Sequence, residues 1–143
     1  MCYTSATTGF PKGVVYTHRG LVLHAINLGL VDSFGLSERS VALPVVPMFH
    51  VNAWGIPFAS VNFGAKLVLP GPNFTSHTLI DLIEEERVTF TAGVPTIWMG
   101  VLQELEKTPR DMSSLEMVAA GGSASPPALI QKFTHKFGIP YKT

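Results

Sequence analysis

Between Tyr3 and Gly13 the chain reads Tyr3-Thr4-Ser5-Ala6-Thr7-Thr8-Gly9-Phe10-Pro11-Lys12-Gly13, gathering four aliphatic hydroxyls, two glycines and a lysine into one short stretch. Hydroxyls and loop amides donate to phosphate oxygens, glycines let the backbone approach closely, and lysine adds positive charge, so the composition suits an anion. It is not a Walker A loop, because Gly9 is followed by Phe10 and Lys12 by Gly13 rather than by Ser or Thr. A polar surface turn would have the same composition.

Three further segments carry candidate chemistry. In Pro47-Met48-Phe49-His50-Val51-Asn52-Ala53-Trp54-Gly55 a histidine sits in an apolar run, as a hydrogen-bonded core residue or as a group placed to react. His50 and Trp54 are four apart and share a face if the segment is helical. Ala92-Gly93-Val94-Pro95-Thr96 and Ala120-Gly121-Gly122-Ser123-Ala124 each follow a predicted strand, the position of ligand loops in an open α/β sheet. As bare patterns they also read as a strand-to-helix turn and a tight Gly-Gly turn. Elsewhere the chemistry thins out. His18, His24, His77 and His135 are scattered without metal-ligand spacing, and one cysteine builds no structural zinc site. No Gly-x-Ser-x-Gly elbow is present, which argues against a serine hydrolase. Glu84, Glu85 and Glu86 read as the solvated side of a helix rather than a desolvated acid–base pair.

The elements that must position these segments alternate in type. Val14 to Tyr16 reads as a strand, followed by a helix capped by Thr17 and running through Leu21, His24, Ala25, Leu28 and Val31. Val41 to Val46 is an apolar run in which Pro44 marks a strand margin or an edge. Ala53 to Asn62 reads as a short buried helix, and Lys66 to Leu69 as a strand stopped by Pro70-Gly71-Pro72. Thr75 or Ser76 caps a helix with Leu79, Leu82, Ile83 and Val88 near one face. Val88 to Val94 is a strand, and Pro95 opens a helix striped by Ile97, Trp98, Val101, Leu102 and Leu105. Leu115 to Ala120 is a strand. Ser125-Pro126-Pro127 opens a helix with Ile130, Phe133 and Phe137, closed by Gly138, and Ile139 to Tyr141 begins another strand. Near-continuously apolar strands alternating with helices over short connections predict an α/β fold, a doubly wound and mostly parallel sheet with helices on both faces.

Composition narrows the function classes. The chain has 143 residues, ten basic and ten acidic, with formal net charge zero and only 14% charged side chains. Soluble domains average roughly 25%. With 46% hydrophobic residues and a mean hydropathy of +0.30, disorder is excluded. The charge balance supplies no basic surface for nucleic acid. No apolar run approaches the roughly 20 residues that span a bilayer, and no secretory signal precedes the first strand. Cys2 has no internal disulfide partner and reads as a small apolar strand residue, in keeping with a cytoplasmic setting. A surface so poor in charge is one that other parts of a larger molecule cover.

The loop from Tyr3 onward resembles the signature phosphate loop of the adenylate-forming superfamily, which includes acyl-CoA synthetases, luciferases and peptide-synthetase adenylation domains. The family pattern, Tyr-Thr-Ser-Gly-Thr-Thr-Gly, any residue, Pro-Lys-Gly-Val, is matched throughout except at Ala6, where glycine is usual. If that glycine has positive φ, alanine strains the loop by about 1 kcal/mol or more; if it admits a phosphate, the methyl weakens nucleotide binding. The segment around His50 is similar to the family's second core motif, and its Asn-Ala-Trp-Gly form resembles fatty-acid–CoA ligases in particular.

The resemblance implies a two-step ligase: a fatty acid attacks the α-phosphorus of ATP, pyrophosphate leaves, and coenzyme A then displaces AMP from the acyl-adenylate. It assigns Thr4, Ser5, Ala6, Thr7, Thr8, Gly9 and Lys12 to the ATP phosphates within a loop over residues 3–14, with Mg²⁺ held through those phosphates near Thr4 and Thr7. His50 is implied as the catalytic group beside the reacting carboxylate, and Trp54 as the gate of an acyl tunnel. Gly93, Val94, Pro95 and Thr96 wall the acyl pocket, and Gly121, Gly122, Ser123 and Ala124 pass the adenine and acyl carboxylate. On this reading residues 1–143 are part of the AMP-binding N-terminal domain of a long- or medium-chain fatty-acid–CoA ligase. The chain stops at Tyr141-Lys142-Thr143, where the family continues into Tyr-Gly-x-Thr-Glu and later a C-terminal domain with the catalytic lysine, so it is expected to be inactive alone. Its partners are then fatty acid, ATP, CoA and the rest of the same polypeptide, with homodimerisation of the full enzyme and peripheral membrane association left open. A ligase for an aryl or amino acid, and a non-catalytic nucleotide-binding relative suggested by Ala6, are the alternatives.

Overall fold

The computed structural model describes residues 2–4 and 9–143. Five strands form one parallel sheet in the order β4-β3-β5-β6-β7: β3 (Val41–Pro44), β4 (Lys66–Leu67), β5 (Phe90–Gly93), β6 (Met117–Ala120) and β7 (Tyr141–Lys142). Successive strand residues point to opposite faces, and here each face meets helices. Leu43, Val45, Val118 and Ala120 pack with Leu79, Ile80 and Ile83 of α4 (Ser76–Glu85), with Trp98, Val101, Leu102 and Leu105 of α5 (Pro95–Lys107), and with Leu129 of α6 (Pro127–Gln131). Ala42, Val46, Phe90, Ala92 and Ala119 face the other way, onto Ala25 and Leu28 of α1 (His18–Gly29) and Ile56 and Ala59 of α3 (Ile56–Phe63). The doubly wound α/β expectation holds.

The topology has one reversal. From β3 the chain passes through α3 to β4 on one side, then through α4 to β5 on the other. The carboxyl ends of β3 and β5 therefore flank the switch point, the crevice at which open α/β sheets bind ligands. The amides of Val45 and Val46 both donate to Ala92 O, at 2.8 and 3.2 Å, and hold the two ends together.

Several boundaries differ from the sequence reading. The first segment expected as a strand, Val14 to Tyr16, is displaced to β2 (Lys12–Val14), which pairs antiparallel with β1 (Cys2–Thr4) outside the main sheet. Tyr16 lies in the extended approach to Thr17, whose hydroxyl accepts from Gly20 N at 3.0 Å and caps α1. That helix stops at Gly29, short of the exposed Val31. Pro44 does end its strand, but the strand is internal, between β4 and β5. Amide hydrogen bonds from Lys66 to Ser40 O and from Val68 to Ala42 O show that even-numbered positions face β4. Pro44 would send its missing N–H beyond the last β4 residue paired, Leu67, so the ladder loses nothing. Thr75 rather than Ser76 caps α4, in a reciprocal box with Thr78. The last helix shortens to α6 and continues as a π-helical turn, Lys132–Lys136, which carries the buried Phe133 against Phe137 and Tyr141 with ring centroids 6.3 and 5.4 Å apart.

The glutamate run is not simply solvated. Glu84 accepts from Arg110 Nε at 2.5 Å and from Asp111 N at 3.0 Å, and Glu86 pairs with Lys66. The Arg110 hydrogen bond, supported by the Asp111 amide, holds the Glu84 carboxyl below its ordinary range. Asp111 is held more strongly, at about 2 against an ordinary 3.8, by the Ser113 hydroxyl and amide and by the Arg87 guanidinium. With these depressed values the unfolded chain binds more protons in the acid range, so the stability is present above the unfolded value and lost as pH falls toward the folded one. The expected outcome is a thermal unfolding midpoint that drops as pH falls from 3.8 toward about 2, with Asp111→Asn flattening that part of the curve in calorimetric scans.

Candidate functional site

The segment after β3 departs most from helical expectation. Ala53 to Asn62, read as one helix, is instead α3 preceded by a separate turn, α2 (Val51–Trp54), wound with the opposite hand. Val51, Asn52, Ala53 and Trp54 have φ of 51, 52, 52 and 55°, and Gly55 at 74° makes the switch into right-handed α3. The face shared by His50 and Trp54 in a right-handed helix therefore does not form. For L-residues this conformation costs roughly 1–2 kcal/mol each, and β-branched Val51 is among the least suited. Surrounding contacts must over-determine it.

Three contacts do so. His24 on α1 sets its Nε2 3.0 Å from the Trp54 carbonyl oxygen. Asn52 Nδ2 donates to Cys2 Sγ on β1. Ala53 and Ile56 are fully buried in the core layer between α1, α3 and the sheet. Gly55 is required twice over: its φ is left-handed, and a Cβ there would lie 2.5 Å from the His24 ring.

The turn brings sequence-predicted residues together at the switch point. The Trp54 indole lies against Gly121, where a Cβ would stand 2.9 Å from the ring. Gly121 N approaches Gly93 O at 3.3 Å, joining the loops after β5 and β6. Gly122, with φ +86°, has room for a Cβ only in contact with Val94 Cγ1 at 3.4 Å. Trp54, Gly93, Val94, Gly121 and Gly122 thus form one cluster, and buried Pro95 begins α5 directly behind it. Ser125 Oγ meets Tyr141 OH at 3.1 Å and ties the far end of the β6 loop to β7; burial pushes the Tyr141 phenol up, so it stays protonated.

Thr96, Ser123 and Ala124 are exposed on the loops that carry this cluster, and His50 is exposed just before the left-handed turn; the structure does not bring it against the cluster. His50 donates its amide to Pro47 O at 2.9 Å. The segment from Pro47 to Gly55 divides two apolar clefts. One, of about 420 Å³, is lined by Val46, Phe49, Leu69 and Phe74; the other, of about 210 Å³, by Tyr16, Leu21, His24 and Phe58.

On the anion side, β1 and β2 pair Thr4 with Lys12, so the two ends of the hydroxyl-rich segment are held side by side. Gly9 has φ +86°, which favours glycine, and Lys12 is exposed on β2. Ser5, Ala6, Thr7 and Thr8 lie outside the described residues, as does the side-chain placement of Thr4. Among the described residues no group of His, Cys, Asp and Glu is arranged to hold a metal, and no helix is long and apolar enough to cross a membrane.

Sequence patterns passed over His24, Asn52 and Gly55. His24 meets its partner 30 positions away and Asn52 meets Cys2 50 positions away, so no local periodicity exposes either contact. An Asn and a Gly within one apolar segment were the available signal, since both tolerate left-handed φ. Gly55→Ala is expected to destabilise the protein by at least about 1–2 kcal/mol, read from urea unfolding. Gly121→Ala is expected to dislodge the Trp54 ring and raise acrylamide quenching of its fluorescence, with Trp54→Phe as the reference.

Comparison with known proteins places this architecture. The model of the family described as AMP-binding enzyme matches residues 1–142. A long-chain-fatty-acid–CoA ligase of Thermus thermophilus is 54% identical over 133 residues, covering 93% of this chain and 25% of that protein. A 3-methylmercaptopropionyl-CoA ligase of Ruegeria lacuscaerulensis is 48% identical over 139 residues, covering 97% and 26%. Among solved structures, the inhibitor-bound N-terminal domain of FACL13 from Mycobacterium tuberculosis superposes with a TM-score of 0.82 at 34% identity, covering 97% of this chain and 34% of that one. The O-succinylbenzoate coenzyme A synthetase of Bacillus subtilis in complex with ATP and magnesium ion gives 0.77 at 29% identity, covering 98% and 28%. The chain spans about a quarter of the length of the curated relatives it matches. It belongs to the AMP-binding enzyme family.

Proposed function

We propose that these residues supply the phosphate-binding and acyl-side parts of a fatty-acid–CoA ligase, which joins a medium- or long-chain fatty acid to coenzyme A at the expense of ATP. The observation that carries this reading is the meeting of Trp54 with Gly121 and of Gly122 with Val94 at the carboxyl ends of the strands, on a segment whose neighbouring residues line two apolar clefts. A fatty acid presents one carboxylate on a long apolar chain. Backbone at the exposed Gly122 suits the first, and the apolar side chains of Trp54 and Val94 beside it suit the second.

ATP supplies a phosphoanhydride as the leaving group, and Mg²⁺ neutralises part of its charge. Support for a polyanion at the β1–β2 hairpin comes from the pairing of Thr4 with Lys12, the left-handed Gly9 and the exposure of Lys12. Thr4, Ser5, Thr7, Thr8, Gly9 and Lys12 would donate to the phosphates, with Ala6 in the same run of sequence, and Thr4 and Thr7 would help hold the Mg²⁺ that those phosphates bring. His50, exposed just before the left-handed turn, would approach the acid's carboxylate, and Thr96, Ser123 and Ala124 would complete the rim. The difficulty of the reaction is bringing two anions within bonding reach. A cationic loop and a carboxylate site held on one sheet end lower that barrier by positioning and by charge stabilisation. The similarity to the Thermus thermophilus long-chain ligase supports the acid class.

The test is ATP–pyrophosphate exchange by the full-length protein across short, medium and long saturated acids, 3-methylmercaptopropionate and an aryl acid. Exchange is expected to be greatest with medium or long saturated acids and to yield acyl-CoA when coenzyme A is added. Lys12→Ala is expected to slow exchange about 100-fold, as loss of a transition-state donor does. Exchange driven by the aryl acid alone, or none with any acid, would overturn the assignment.

A further inference from the structure

We propose that Asn52 is a positioning residue that sets the acyl-side turn in register with the phosphate hairpin, through its contact with Cys2. This rests on the ligase reading above. Asn52 occupies the second position of the left-handed turn, with φ 52° and ψ 50°. Asparagine is among the few L-residues that accept this conformation, but glycine would serve the backbone equally. What asparagine adds is an amide donor, and Nδ2 delivers it to Cys2 Sγ across the fold.

Cys2 begins β1, the strand that ends at Thr4 where the hydroxyl-rich segment starts. The β1–β2 pair stands outside the main sheet. Among the described residues the Asn52–Cys2 bond is the only hydrogen bond joining this hairpin to the rest of the molecule. The same turn carries Trp54 two residues on, with its carbonyl oxygen at His24 and its ring on Gly121. One side chain thus connects the element that would hold ATP to the element that would hold the acid. Reaction requires the attacking carboxylate about 3–3.5 Å from phosphorus, and a displacement of about 1 Å can cost on the order of 100-fold in rate. The contact that registers the two elements therefore acts on the rate of adenylation more than on the affinity for either substrate.

The test uses the full-length protein and steady-state ATP–pyrophosphate exchange. Asn52→Gly keeps the backbone conformation and removes the donor; it is expected to lower kcat about 10-fold or more, with KM for ATP and for acid each within about 3-fold. Cys2→Val removes the acceptor and is expected to do the same, whereas Cys2→Ser keeps an acceptor and most of the rate. The Asn52→Gly, Cys2→Val double variant is expected to be little slower than either single one, the mark of a shared interaction. Additive losses, or Cys2→Val at the wild-type rate, would overturn the proposal. So would a loss confined to KM or to the unfolding temperature. If Asn52→Gly fails to fold, the Ser and Val variants of Cys2 decide the matter alone: equal rates for the two defeat the proposal. Absence of exchange in the wild-type protein defeats the ligase reading instead, so the two failures are distinct.

Discussion

A parallel sheet covered on both faces leaves a chain little freedom, and the geometry of the candidate site follows from that constraint. Ala42, Leu43, Ala92, Val118 and Ala119 are shielded by helices above and below, so no ligand reaches the sheet through a face. Access is confined to the two ends of the strands. Each strand must also return over a helix, which sends every strand-to-helix loop to the carboxyl end. The reversal between β3 and β5 sends the loop after β3 one way and the chain after β5 the other, and the loop after β6 lies next to it. Gly93, Gly121 and Trp54 meet there because the layers admit few other meeting places.

That logic was largely legible in the sequence. Continuous apolar strands such as Met117–Ala120, helices striped as in Trp98, Val101, Leu102 and Leu105, and breakers such as Pro70-Gly71-Pro72 each carry a local signal of their type. The one glycine pair, Gly121-Gly122, marked the loop after β6. The order of the strands was not legible, since it depends on which apolar faces meet. Pro44 illustrates the limit. Its chemistry predicts a ladder defect, and only the shortness of β4 makes an internal strand tolerate it. Ion pairing was hidden for a similar reason: Glu84 looks solvated in its own helix until Arg110, 26 positions on, folds back to it.

The hand of the turn at Val51–Trp54 was illegible for a deeper reason. Sequence periodicity reports which residues recur on one side of an element and does not distinguish left from right. Four consecutive non-glycine residues in the left-handed region contradict local preference, so the conformation is imposed by its surroundings. A right-handed turn through the same segment would redirect the Trp54 ring and carbonyl, forfeiting Gly121 and His24 as partners. The strain is concentrated where the two apolar clefts adjoin, and local rules fail most often where a site needs a geometry that those rules do not favour.

The arrangement also divides labour between rigidity and adjustability. The sheet end is stiff, because its amides and carbonyls are committed to the ladder and to bonds such as those from Val45 and Val46 to Ala92. The hairpin is different in kind. A two-stranded ribbon is marginal by itself, so its place is set by the few contacts it makes with the body. On the ligase reading, this ribbon would be the mounting that carries the phosphate site. An acyl site gains from the stiff one, because discrimination among apolar chains depends on walls that hold their shape. The strained turn stands between the two mountings and touches both: it is bonded to the ribbon by Asn52, and to the body by His24 and the packing of Trp54 on Gly121. On the ligase reading proposed above, its energetic cost would be the cost of joining the phosphate-side ribbon to the acyl-side sheet end at a defined distance.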